Sequence, residues 1–300
     1  MQFDDILTCN NVQKQFKNFA LDVPELHIPK GFATALVGEN GAGKSTLLNI
    51  LSGIRLDYRG TVHYFGETTD VDSVKHRLGY TGTKNYFSPQ WNGAQIREMS
   101  GLLFDDFEPE RFDQICHAID IDSSIFSKTG KAVSKLSDGN QTKLMLACVF
   151  ARKTELLLLD EPASPLDPLM RDTLSDMIRR YIAEGDGSRS VLFSTHNITD
   201  MESVTDYVLI MEQGQIVEQG FVLDLKEKYI VVKGDADDTE AARPYLLTCQ
   251  SNSYGFEGVC LAEQLDRLAG THIEVETPSL FQISVAVMKQ NSRLTIPDIA

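Results

Sequence analysis

One nine-residue stretch constrains the fold of this 300-residue chain more than any other: Gly38-Glu39-Asn40-Gly41-Ala42-Gly43-Lys44-Ser45-Thr46. It fits the pattern G-x-x-x-x-G-K-[ST]. The apolar run Phe32-Ala33-Thr34-Ala35-Leu36-Val37 precedes it and reads as a buried strand. After it, Leu47, Leu48, Ile50 and Leu51 fall at helical spacing. In a strand, glycine loop, helix unit the glycines let the backbone curl, so that successive N–H groups point at a β-phosphate. The helix adds the positive end of its dipole. Lys44 would then reach the β- and γ-phosphates, and Ser45 would ligate Mg²⁺. Average residue frequencies produce the pattern by chance in about one chain of this length in a hundred. Chance does not also set it between a strand and a helix.

A second element supports the first. Four leucines lead into Asp160-Glu161, placing two carboxylates at the end of a buried strand. Alone, this would be an ordinary strand terminus. In an open α/β sheet, however, ligands bind at the carboxyl edge of the strands. There Asp160 would hold Mg²⁺ through water, and Glu161 would polarise an attacking water. Ser190-Val191-Leu192-Phe193-Ser194-Thr195 and Tyr207-Val208-Leu209-Ile210-Met211 read as further strands with helical stretches between them. The alternation predicts a mostly parallel sheet with covered faces. Residues 85–150 read as a helical region, and a small α+β unit is expected after residue 225. No internal repeat or low-complexity tract is visible.

Composition narrows the partners. The formal net charge is −15, which argues against a broad nucleic-acid interface. The cysteines (Cys9, Cys116, Cys148, Cys249 and Cys260) are odd in number and lack paired spacing, so they read as reduced cytosolic thiols. Apolar runs fall far short of the roughly 20 residues of a membrane helix. The first residues lack a signal-peptide pattern. A soluble chain with no membrane span is expected.

Several motifs in this order resemble the ATP-binding cassette of ABC transporters, over about residues 5–225. Leu136-Ser137-Asp138-Gly139-Asn140-Gln141 resembles the family's signature. The run from Asp160 through Glu161-Pro162-Ala163-Ser164-Pro165-Leu166 to Asp167 resembles its Walker B strand and D-loop. Ser194-Thr195-His196 resembles its switch histidine, and Phe16 falls where the family stacks an aromatic ring on adenine. Taken alone, Phe16 also suits a core position, His196 a capping or surface role, and the Ser-Asp-Gly a helix start. The resemblance implies two cassettes sandwiching two ATP molecules head to tail. Each phosphate loop would face the partner's Ser137 and Gly139, Asp167 would cross the interface, and His196 would contact the γ-phosphate and the water held by Glu161.

The chain departs from the family pattern twice. Asp138 stands where the signature has its first glycine, and its carboxylate is expected to turn away from the nucleotide. Thr83 stands where the family has the Q-loop glutamine, and its hydroxyl would reach Mg²⁺ through water. Gln90 and Gln95 are nearby but out of register.

The expectation is therefore an α/β phosphate-loop NTPase core with an antiparallel β part, a helical subdomain and a small C-terminal α+β extension. Residues 1–225 would form the ATP-binding domain and 226–300 an accessory domain. The function implied is ATP hydrolysis with Mg²⁺, powering transport through a separate transmembrane permease, with a second cassette as partner. The cassette would lie in the cytoplasm, peripheral on the inner face of the cell membrane. Tyr86, Phe87, Trp91, Leu102, Leu103 and Phe104 are candidates for the permease groove or for internal core. The C-terminal segment from Pro278 to Met288 resembles bacterial ABC-2-type cassettes that export peptides, drugs or lipids. The alternative is a non-transport ABC ATPase acting as a mechanical or regulatory module. A GTPase is disfavoured because no Asn-Lys-x-Asp motif is visible.

Overall fold

The computed structural model describes residues 4–127, 129–268 and 272–292. Strands β1 (Asp5–Gln15) and β2 (Ala20–Pro29) pair antiparallel. They bury Leu7, Cys9 and Val12 with Val23, Leu26 and Ile28, a two-residue period that slips by one residue at Asn11 and at Pro24. The chain then runs through β3 (Ala33–Val37) and α1 (Lys44–Leu51) to β4 (Arg59–Tyr64), which returns to pair with β1. Next come α2 (Val71–Val74) and β5 (Leu78–Thr81). Helices α3 (Gly93–Leu103), α4 (Pro109–Ala118) and α5 (Asp138–Phe150) make up the helical region. Then come β6 (Leu156–Leu159), α6 (Pro168–Ala183), β7 (Ser190–Thr195), β8 (Tyr207–Glu212) and β9 (Gln215–Phe221), with only two short 3-10 turns, not the expected helix, between β7 and β8.

The six-stranded sheet has the order β5-β6-β7-β3-β8-β9. Its pairings are parallel except for the β8–β9 hairpin. Every residue of β3, β6 and β7 is buried, because both faces are covered. Alternate side chains feed two cores. Leu36, Leu156, Leu158, Leu192 and Leu209 pack with α1 and the antiparallel sheet. Ala35, Leu157, Leu159, Val191 and Phe193 pack with α5 and α6.

Beyond α7 (Val222–Lys228), the strands β10 (Tyr229–Asp235), β11 (Thr248–Ser251), β12 (Gly255–Leu261) and β13 (Ile273–Glu276) form a separate antiparallel sheet. The short helix α8 (Thr239–Ala242) lies between β10 and β11. This sheet has its own small core of Val232, Ala242, Phe256, Cys260 and Leu268. The last helix, α9 (Leu280–Asn291), packs on β8 and β9 of the large sheet while still touching β12. The boundary read near residue 225 is therefore crossed twice, and residues 293–300 of the expected accessory domain lie outside the described residues. No helix among the described residues is long and apolar enough to cross a membrane. The five cysteines are unpaired.

The permease-groove candidates divide. Phe87 is buried, and Trp91 and Phe104 pack on the core, whereas Tyr86, Leu102 and Leu103 are exposed. Gln95 is committed to a capping box with Asn92 at the start of α3.

The helical region is tied to the sheet by Arg152. This side chain is buried, and its Nε donates to Asp106 at 3.0 Å. Its Nη atoms donate to Leu78 O (2.9 Å) and His76 O (3.1 Å). Removing it strands a carboxylate and two carbonyls. Arg152→Met should cost about 3 kcal/mol of stability in a urea titration; a loss below about 0.5 kcal/mol would show that water replaces the guanidinium.

Candidate active site

The carboxyl ends of β3, β5, β6 and β7 meet on one edge, where a cleft of about 870 Å³ opens. The phosphate loop leaves β3 between β7 and β8. Gly38 N donates to Thr195 O at 3.3 Å, and a Cβ on Gly38 would lie 2.4 Å from Met211 O, so no larger residue fits. Gly41 (φ 89°) and Gly43 (φ 113°) take the left-handed conformations that curl the loop. Lys44 is buried. Its Nζ donates to Gly38 O (2.8 Å) and Glu39 O (3.1 Å) and lies 3.4 Å from Glu161 Oε1.

The acidic pair sits opposite. Asp160 is buried at the end of β6, and burial raises its carboxyl above the usual carboxylate range while the Ser194 and Ser45 hydroxyls draw it back. Ser194 Oγ donates to Asp160 Oδ1 at 2.6 Å and accepts from Glu161 N at 2.8 Å. Glu161 has φ 50°, a left-handed backbone that a non-glycine residue adopts at a cost of about 1 kcal/mol. The turn brings its carboxylate between Lys44 and His196, whose Nδ1 is 2.7 Å from Glu161 Oε2.

The donor set can be tested against Mg²⁺. Ser45 and Asp160 present hard oxygen atoms close enough to hydrogen-bond one another. Among the described residues no three His, Cys, Asp or Glu side chains are placed to hold a metal ion by themselves. That suits a cation which keeps waters and takes substrate phosphate oxygens with one carboxylate and one hydroxyl. It does not suit an all-protein cage.

The structure sorts the remaining candidates. Asn40, Gly41, Gly43, Lys44, Ser45, Thr46, Thr83, Asp160, Glu161 and His196 line the cleft. Gly38, Glu39 and Ala42 form the back of the loop, with Ala42 O accepting from Gly214 N at 2.9 Å. Phe16 does not line the cleft: Lys14 and Arg55 stand over its ring at 5.6 and 5.4 Å. Phe19 lines it instead, with its ring centroid 5.9 Å from that of Phe16. Ser137 caps α5 by accepting from Asn140 N (3.4 Å), and Asp167 caps α6 by accepting from Met170 N (3.0 Å). Both are exposed outside the cleft. Gly139 lies against Pro165, whose carbonyl oxygen would be 3.0 Å from an added Cβ. Asp138 lines the cleft of its own chain with Gln141. Gln141 in turn accepts from Asn85 Nδ2 at 3.0 Å, joining the loop after β5 to α5. Sequence reasoning gave no role to Ser194, Phe19 or Asn85. Only for Ser194 was there a local signal, its place two residues before His196.

A phosphate loop on a parallel sheet, faced by a strand-end Asp-Glu pair and a histidine, defines a phosphate-loop nucleotide hydrolase. The family profile described as ABC transporter matches residues 21–164. The tungstate uptake system ATP-binding protein TupC of Peptoclostridium acidaminophilum is 30% identical over 216 residues, 71% of this chain and 97% of that protein. The chain belongs to the ATP-binding cassettes of the ABC transporter family, which hydrolyse ATP. ATP-binding cassette sub-family A member 10 of Homo sapiens is 29% identical over 208 residues, but the match spans only 13% of its length. The fold is shared with a dimeric ATP-binding cassette solved in a post-hydrolysis state with ADP and phosphate, at TM-score 0.61 and 17% identity, over 72% of this chain and 98% of that one.

Burial of Asp160 makes the stability of the nucleotide-free chain depend on pH. Its raised carboxyl means that ionisation opposes folding. The penalty is absent below the unfolded-state value of about 3.9 and grows as pH rises through the folded-state value. Asp160→Asn should therefore raise the Tm of the nucleotide-free chain by roughly 2 °C at pH 7. The difference should vanish at about pH 3.5. A lower Tm at pH 7 would show that the hydrogen bonds to Asp160 outweigh its desolvation.

Proposed function

We propose that this cassette powers export of peptides, drugs or lipids across a bacterial cytoplasmic membrane, through a separate transmembrane subunit and as one of two head-to-tail cassettes. The observation that carries the ATPase half of this reading is the convergence of Lys44, Asp160, Glu161 and His196 on one cleft. The loop N–H groups and Lys44 bind the β- and γ-phosphates. Ser45 and Asp160, with Thr83 nearby in the cleft, would hold Mg²⁺, which would offset phosphate charge. Glu161 Oε orients the attacking water and takes its proton, and His196 holds that carboxylate while contacting the γ-phosphate. Phe19, which lines the cleft, offers its ring for adenine. Ser137, Gly139 and Asp167 lie exposed or part-exposed, open to a second cassette.

A second cavity of about 510 Å³ supports the membrane half. Ile54, Leu78, Tyr86, Phe104 and Val149 line it, and it shares Gly82, Thr83 and Lys84 with the nucleotide cleft. One loop thus walls both the ATP site and an apolar groove suited to an amphipathic helix of the permease. The groove favours transport over a purely mechanical role and would hold the cassette at the cytoplasmic face of the membrane. Relatives include an uptake protein. The export direction rests instead on the C-terminal extension.

Three measurements test these points. Glu161→Gln should keep ATP affinity, trap a cassette dimer in size-exclusion chromatography and lose at least about a hundredfold in kcat; full turnover would overturn the role of Glu161. Lys44→Ala should weaken ATP binding at least about tenfold, and unchanged affinity would overturn the loop's assignment. With the co-purified membrane subunit in inverted vesicles, ATP should drive substrate accumulation inside. ATP-driven depletion would mean import.

A further inference from the structure

Helix α9 is an extension of the chain in sequence but part of the cassette in space. Leu280, Ile283, Ala286 and Val287 enter the large core with Val208 and Ile210 of β8. Both ends of α9 are tied to segments that build the nucleotide cleft. At the C-terminal end, Asn291 O accepts from Gln213 Nε2 at 3.1 Å. The neighbouring Gly214 donates its N–H to Ala42 O of the phosphate loop at 2.9 Å.

At the N-terminal end, Leu280 N donates to Glu202 Oε1 at 3.0 Å, and Lys226 Nζ donates to the same oxygen at 3.1 Å. Glu202 follows His196 by six residues and opens the turn Glu202–Val204. The turn between them, Ile198–Asp200, packs directly on α9. Asp200 pairs with Arg171 at 2.8 Å, and Arg171 Nε donates to Ala163 O (3.2 Å) and Leu166 O (2.9 Å) in the loop after Glu161. The backbone behind the histidine is thus held on one side by α9 and on the other by the loop that follows the acidic pair.

We propose that Glu202 is a positioning residue for His196. By holding Lys226 and the N-terminus of α9 to the turn behind the histidine, it sets the imidazole against Glu161 and the γ-phosphate. This rests on the role given to His196 above. Side chains in this cluster are about a quarter exposed, 25% for Glu202 and 29% for Lys226, so the ion pair adds little to stability. The core contacts of α9 keep it docked without the carboxylate. The turn itself is anchored in the core by Ile198, Met201 and Val204; what Glu202 adds is the tie between that turn, Lys226 and the N-terminus of α9.

The test uses the full chain and reads kcat, KM for ATP and Tm together. Glu202→Ala should lower kcat about tenfold while KM stays within about twofold. Glu202→Gln keeps an acceptor for Leu280 N and should recover most of the rate. Lys226→Met leaves the bond to Leu280 N in place and should fall between the two. In a His196→Ala background, Glu202→Ala should have no further effect, because both act on one step. Full additivity with His196→Ala, an unchanged kcat in Glu202→Ala, or a rate loss that only follows the loss of folded protein overturns the proposal. An unchanged rate in His196→Ala alone removes the role of the histidine, and the proposal with it.

Discussion

The site depends on the register of three buried parallel strands. Leu159 of β6 pairs with Phe193 of β7, and Val37 of β3 pairs with Thr195 of the same strand. Each ladder carries its chain one residue further onto the carboxyl edge. Asp160 therefore meets Ser194, and Gly38 meets the backbone that leads to His196. A slip of one residue would invert every side chain on a strand and exchange the contents of the two cores. The complete burial of β3, β6 and β7 makes such a slip prohibitive.

That register concentrates charge where the fold can tolerate it. Lys44 and Asp160 are both nearly inaccessible to water, yet neither lacks partners. Carbonyls of the phosphate loop accept from the ammonium group, and a serine hydroxyl donates to the carboxylate. Glu161 bridges the two sides at the expense of a left-handed backbone. Strain of this kind persists where the surroundings over-determine it. Here the anchor is the bond from Glu161 N to Ser194 Oγ, and the consequence is a carboxylate shared between Lys44 and His196.

The phosphate loop and the acidic pair were legible in the sequence because each is local. A glycine pattern reports backbone curvature within nine residues, and four leucines before two acids report a buried strand with a polar end. Ser194, Phe19 and Asn85 were not legible in the same way, since each acts across a separation in sequence that only strand order or loop packing closes. The six aromatic and aliphatic candidates around residues 86–104 could not be divided from sequence, because core and groove both call for apolar side chains. The structure buries Phe87 and leaves Tyr86 exposed, although the two are adjacent.

The C-terminal extension marks the same boundary between local and tertiary information. Composition and turn signals after residue 225 report a second sheet, and β10 to β13 form one. They do not report that α9 packs against the large sheet as well as β12, because its apolar stripe names no neighbour. Burial of Leu280, Ile283, Ala286 and Val287 in the large core decides it, and the acceptor offered by Glu202 joins the start of α9 to the turn behind His196. The sequence by itself determined the phosphate loop, the strand-end carboxylates and the order of the motifs, since these are written in contiguous residues. Only the tertiary structure decided which hydroxyl holds Asp160, which ring faces the cleft and what supports the histidine, because those contacts depend on which strands and helices become neighbours.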